Sequence, residues 1–174
     1  MEALASEGVP MERLNLAGAE LGYVKLGGAF LQGANLSGAL LQDADLSQAI
    51  LAQSNLTDAK LGYADLNGAV LRNANMERAN LFLTQLRSSK LAGANLRDAM
   101  LFAADLRGAD FLTPTNLFGV QSGFPLAPAV LEGADIRAAK LQGAKITQDQ
   151  LNVACANEET QVDDGLTLNF CPDK

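Results

Sequence analysis

Every fifth residue from Leu16 to Phe111 is apolar. All 20 of these positions comply: 18 are Leu, and the other two are Met76 and Phe111. Two residues before each of them, 15 of the 20 positions are Ala, the exceptions being Leu14, Val24, Ser54, Thr84 and Ser89. The phase is lost after Leu112 and returns at Leu131, Ile136, Leu141 and Ile146, again preceded by Ala129, Ala134, Ala139 and Ala144. No standard element keeps such a set on one side. On a helix of ~3.6 residues per turn, a five-residue step rotates the side chain by about 140°. In a flat strand the same step changes face every time. The Leu residues share one interior only if the chain turns a corner every five residues. The positions two after the Leu supply corner residues, among them Gly18, Gly28, Asp43, Asp58, Asn73 and Asp98, which tolerate φ > 0 or bond their own backbone.

A second period lies on the first. The residue before the central Leu is Asn or Asp at eight of ten positions from Asn15 to Asp105 taken in steps of ten. At the intervening positions, Glu20 to Asp110, only two of ten are. Faces therefore alternate in character. An even number of faces stacks like on like, and four is the smallest even number that closes a tube.

Stretches such as Ala34-Asn35-Leu36-Ser37-Gly38, Ala44-Asp45-Leu46-Ser47-Gln48 and Ala94-Asn95-Leu96-Arg97-Asp98 resemble the A-(D/N)-L-x-x unit of the pentapeptide-repeat family. The resemblance covers about residues 12–112 and 127–148. It implies an all-β solenoid: a right-handed four-sided β-helix of pentapeptide repeats, four to a coil, with the central Leu or Phe and the Ala pointing inward. The expected division is residues 1–13 as an N-terminal cap or disordered lead and 14–112 as about five coils. Residues 113–128 form an irregular loop or distorted coil, 129–148 a last coil, and 149–174 a cap of helix and tail. With coils ~4.8 Å apart the rod measures roughly 30–35 Å.

The interruption contains Pro114, Pro125 and Pro128, which lack the N–H that stacking uses. Phe111 to Leu131 spans one coil's worth of residues, which fits either a distorted coil or a surface loop that returns to register. Leu117, Phe118 and Phe124 need cover, and the loop is read either as packed on the rod flank or as a binding loop. Beyond it, Thr147-Gln148-Asp149-Gln150-Leu151 reads as a short C-terminal helical cap opened by a Thr N-cap with Gln150 at the capping-box position. The helix is expected to end near Ala156-Asn157. Asp164-Gly165 then turns into a strand-like tail, Leu166-Thr167-Leu168. Cys155 and Cys171, the only two cysteines, are either free thiols or a disulfide closing the loop between them. The disulfide is the sharper reading, worth ~3 kcal/mol in the chain-entropy account. It would place the protein in an oxidising compartment such as a periplasm or thylakoid lumen once a signal is removed; without it the cytoplasm is expected. Met1 to Pro10 has neither a basic start nor a long apolar stretch, so it does not read as a signal peptide.

Chemistry is sparse. There is no His, which removes triads and His-metal sites. No phosphate loop or dinucleotide fingerprint occurs. No cofactor, metal or enzymatic activity is expected. Asp45, Asp65 and Asp105 fall in one outward column and read as solvated turn residues. A net charge of -7 argues against direct nucleic-acid binding, and no apolar run reaches the ~20 residues that span a bilayer.

The candidate partner surfaces are outward columns: Phe30, Ile50 and Val70 in one, Phe82 and Phe102 beside Leu83 and Met100 in another. The second pair is expected under the 113–128 loop. Tyr23 and Tyr63 share a further column. The function expected is a noncatalytic structural or protein-interaction scaffold, acting as a monomer on a protein partner. The alternative is an acidic DNA mimic, since some members of the resembled family inhibit DNA gyrase by resembling B-form DNA. Arg72, Arg87, Arg97, Arg107 and Arg137 recur at one repeat position and dilute that acidic surface.

Overall fold

The computed structural model describes residues 11–112 and 128–171. Each repeat places one residue in a single parallel bridge, then turns. The bridges form four columns. One runs Asn15, Asn35, Asn55, Asn75, Asn95, Val130; the next Glu20, Leu40, Lys60, Asn80, Met100, Asp135. The third is Lys25, Asp45, Asp65, Gln85, Asp105, Lys140, and the fourth Phe30, Ile50, Val70, Lys90, Asp110, Lys145. The tube is therefore four-sided, as the alternation in the sequence requires.

Backbone bonding explains why the unit has five residues. The amides of Leu36 and Gly38 donate to Asn55 and Thr57 in the coil that follows, and the amide of Asn35 donates to Leu14 in the coil before. The amide of Ala39 closes the corner on Leu36. Four of the five amides in a repeat thus find backbone acceptors. The fifth, just after the central Leu, has none. Where Asn or Asp precedes the Leu, its side chain accepts that amide: Ser37 N–H to Asn35 Oδ1 at 3.2 Å, Ser47 to Asp45 at 3.0 Å, Arg97 to Asn95 at 3.1 Å. The Asn/Asp preference is a cap on the orphaned donor. The Asn column is linked further, with Asn35 Nδ2 donating to Asn15 Oδ1 at 3.0 Å and Asn95 Nδ2 to Asn75 Oδ1 at 3.0 Å.

The central Leu and the Ala two before it fill the interior. Leu26 to Leu106 and Phe111 are essentially inaccessible wherever they occupy the central position. At the exceptions to Ala, Ser54 Oγ donates to Leu51 O and Thr84 Oγ1 to Leu61 O, both at 2.8 Å. Ser89 Oγ is buried with no partner among the described residues. Corners adopt left-handed backbone even where Gly, Asn or Asp is missing, as at Tyr63 (φ 62°), Leu83 (φ 54°) and Ala103 (φ 56°). Cross-coil bonding imposes this geometry: the amide of Tyr63 donates to Phe82 O at 2.9 Å.

Four features differ from the sequence-based expectations. First, Met11 and Arg13 already donate to Phe30 and Gln32, so the stack begins ahead of residue 14, and Met11 is buried in the central phase. Residues 1–10 lie outside the described residues. Second, Phe111 to Leu131 is not one coil. Asp110 pairs with Lys145, a step of 35 residues in place of the regular 20, and Asn95 pairs directly with Val130. Phe111 O accepts from Ala129 N at 3.0 Å, so the rod resumes on the next face with no coil inserted. The path of 113–127 lies outside the described residues. Third, helix α1 is Gln148–Asn152 and stops well short of Ala156-Asn157, because Cys155 returns to pair with Asp135 as a continuation of the second column. Its start follows the sequence: Thr147 is the N-cap, with a reciprocal capping box to Gln150. Fourth, the tail turns at Asp164-Gly165, but its bridge forms at Phe170, against Ala156, rather than at 166–168. Leu166 and Leu168 instead pack on the core end. A Cys155–Cys171 disulfide, Cα–Cα 5.1 Å, locks that last bridge.

Candidate functional site

The sequence-derived surface residues fall on two opposite faces. Phe30, Ile50 and Val70 follow one another in the fourth column. Phe30 is 44% exposed, and Ile50 and Val70 are half-buried. These side chains carry no acceptor, so their stretch of this face lacks the corner caps described above, which return at Asp110, whose Oδ1 accepts from Leu112 N at 3.1 Å. The structure brings Phe82 and Phe102 together on the face of the second column, rings stacked at 5.8 Å between centroids. Tyr63 meets Phe82 edge-on at 5.4 Å, and the Arg137 guanidinium lies 5.7 Å from the Phe102 ring centre. The stack spends these rings on one another and on Arg137, with exposed Leu83 and Met100 beside them. Tyr23 sits in the Tyr63 column but is isolated and largely exposed. Whether residues 113–127 cover the Phe82/Phe102 pair concerns residues outside those described.

Arg137 was not legible as part of this stack. Its place below Phe102 emerges only when the register is advanced by the 35-residue step. The Asn/Asp caps were visible as a pattern, but their purpose needed the bonding scheme.

Part of the charged surface is self-paired. Asp105 accepts from Arg107 and from Arg87, each at 2.7 Å. Arg137 pairs with Asp135 at 2.8 Å and Arg97 with Glu132 at 2.6 Å. Arg78 grips Asp58 with two bonds of 2.9 Å. Exposed pairs of this kind add little stability individually, but they interrupt the acidic surface at the coils where they form. The Arg107 hydrogen bond, with help from Arg87, holds the Asp105 carboxyl well below the usual carboxylate range. A depressed folded value means the contribution is fully present above the ordinary carboxylate pKa of about 4 and is lost as pH falls through the folded one. Asp105→Asn is therefore expected to flatten the acid limb of stability. Denaturation midpoints between about pH 5 and about pH 2 test this; equal slopes in both proteins would contradict it.

Among the described residues no group of His, Cys, Asp and Glu could hold a metal, and no helix is long and apolar enough to cross a membrane. A shallow apolar groove lies where the chain re-enters at Pro128, lined by Val130, Leu131, Gln150 and Val153. No convergent polar set marks it as a reaction site. Gln150 there is spent on structure, its Nε2 donating to Ala129 O at 2.9 Å.

No curated protein matches the chain. Among solved structures it is similar to HetL, a pentapeptide repeat protein involved in heterocyst differentiation regulation from the cyanobacterium Nostoc sp. strain PCC 7120, at 30% identity and a TM-score of 0.49. That match covers 80% of this chain but 63% of HetL, so the chain spans less than two thirds of its relative. It is also similar to QnrB1, a plasmid-mediated fluoroquinolone resistance protein, at 13% identity, TM-score 0.48, covering 90% of this chain and 85% of the other. A third is a pentapeptide repeat protein from the Arabidopsis thaliana thylakoid lumen, at 23% identity, TM-score 0.31, covering 81% and 80%. The pentapeptide-repeat profile matches in 8 copies over residues 15–53, 49–84 and 79–111. With the five-residue bonding unit, the four columns and more than half the chain under that profile, this protein is a member of the pentapeptide-repeat family and folds as its right-handed quadrilateral β-helix.

Proposed function

We propose that the protein is a noncatalytic scaffold that binds another protein through its flank. The repeat architecture supports a scaffold, and the observation that carries the flank is the run Phe30, Ile50, Val70: apolar side chains stacked outward in three successive coils. An outward apolar column on a rigid rod is a candidate for association. Comparing partners captured from the source cell by wild type and by Phe30→Ser/Ile50→Ser/Val70→Ser tests the reading. Wild type should retain a partner that the variant loses; identical partner sets would remove the stripe from consideration.

The DNA-mimic alternative needs a continuous acidic surface, and the Arg–Asp and Arg–Glu pairs along the rod weigh against it. In the favoured reading the rod acts as a single chain in an oxidising compartment, where the Cys155–Cys171 bond persists. Intact mass with and without reductant, taken on protein from its source, should show the gain of two hydrogens only after reduction; equal masses would argue for the cytoplasm.

A further inference from the structure

The Phe30 face differs from its neighbours in how its backbone is satisfied. On the faces of Asn15 and Lys25 the corner amides of Ser37, Ser47, Thr57 and Asn67 are accepted by the preceding Asn or Asp. On the Phe30 face the corresponding amides belong to Gln32, Ala52, Arg72 and Ala92, and none has an acceptor among the described residues. The cause is chemical. Phe30, Ile50 and Val70 carry no acceptor atom, and Lys90 can only donate. Four unfilled donors therefore lie one per coil along this column; Gln32 is exposed and Ala52 and Arg72 are half-buried, whereas Ala92 is buried.

Two cations share this strip. Arg72 buries its Nε without a hydrogen-bond partner. Lys90 is exposed and makes no ion pair among the described residues. The runs Phe30, Ile50, Val70, Lys90 and Gln32, Ala52, Arg72, Ala92 contain no acidic residue, in a chain whose net charge is -7; the next residue of the column, Asp110, is taken up by Lys145 Nζ at 3.3 Å and the Leu112 amide at 3.1 Å. Elsewhere the repeat-position arginines are neutralised by carboxylates of this chain. Here neither Arg72 nor Lys90 is paired with a carboxylate among the described residues. Four coils ~4.8 Å apart make a strip about 14 Å long, the reach of four to five extended residues at ~3.3 Å each.

We propose that this strip docks a short acidic segment of a partner protein. The segment's apolar side chains rest on Phe30, Ile50 and Val70. Its carboxylates and carbonyls take up Arg72, Lys90 and the amides of Gln32 and Ala52, all of which are donors that require acceptors. The proposal rests on the scaffold reading and adds the chemistry of the partner. The apolar column disfavours a nucleic acid, whose backbone would offer it nothing.

The test uses a phage-displayed library of random heptapeptides selected on the immobilised full chain, with counter-selection on Phe30→Ser/Ile50→Ser/Val70→Ser. Stripe-dependent peptides should be net acidic and carry apolar residues. Their binding should fall about tenfold or more on Arg72→Gln/Lys90→Gln and weaken as salt screens the charges. Neutral or basic stripe-dependent peptides, or acidic ones indifferent to Arg72→Gln/Lys90→Gln, would overturn the proposal while leaving the scaffold reading intact. So would a single-stranded oligonucleotide that binds with the same dependence. A library yielding no stripe-dependent binder also overturns it, and the cellular capture then decides the scaffold reading separately. Denaturation midpoints confirm that each variant is folded; should the double variant unfold, the exposed Lys90→Gln change alone carries the charge test.

Discussion

Phe111→Ala is expected to lower the unfolding free energy by about 3–5 kcal/mol, the usual cost of deleting a buried aromatic. Phe111 is inaccessible and is the largest fully buried side chain among the described residues. It also sits at the splice. Its amide donates to Lys145 O at 3.1 Å, its carbonyl accepts from Ala129 N at 3.0 Å, and Asp110 beside it pairs with Lys145. A cavity there loosens the joint between the regular stack and the coil from Ala129 to Lys145. The loss should therefore be uneven, because each unit in a solenoid is stabilised mainly by its neighbours. Amide exchange at Val130 and Asp135 should accelerate more than at Asn35 and Lys60. A small midpoint shift, or equal acceleration along the whole rod, would contradict this account of the splice.

Leu66→Ala is expected to cost about 2–5 kcal/mol. Leu66 is fully buried, its amide donates to Gln85 O at 2.7 Å, and both adjoining coils pack on it. The substitution keeps the backbone bonds and removes only interior volume, so it isolates the contribution of the Leu column. The rod has little means of collapsing around the void, since its width is set by the corners rather than by side chains. Loss from a mid-rod position should appear in a single cooperative unfolding transition followed in guanidinium chloride. An unchanged midpoint would mean that the column is not what holds the coils.

These two expectations rest on different sources. The Leu column was readable residue by residue, since one apolar position in five, held in phase from Leu16 to Phe111, admits only a chain that corners every five residues. The role of Phe111 was not. In sequence, Phe111 to Leu131 spans one coil's worth of residues, so a distorted coil and a surface loop that returns to register both fit. Only the pairing of Asn95 with Val130 reveals that the chain leaves the stack and rejoins it one face along. A periodic pattern reports phase within a repeat and says nothing about how many repeats separate two coils.

The candidate surface divides in the same way. Alignment by coil length was enough to put Phe30 above Ile50 and Val70, and Phe82 above Phe102. It could not place Arg137 on Phe102, since that contact crosses the interruption. Nor could it identify the unfilled amides beside the Phe30 column, because a missing acceptor is a property of the three-dimensional bonding scheme. The helix shows the limit most simply. Thr147 and Gln150 specify its start through a local capping box, whereas its end is decided when Cys155 bonds to Ala134 at 2.8 Å.

The sequence by itself thus determined the five-residue corner, the even number of faces, the inward Leu and Ala columns and the helix start, all set by contacts within a repeat or by strict periodicity. The tertiary structure decided the splice at Phe111, the helix end, the disulfide-locked last bridge and the distribution of satisfied and open donors on the faces. Those depend on which distant coil lies alongside, and hydrogen bonds between coils, unlike the phase of a repeat, are not written in any local stretch of the chain.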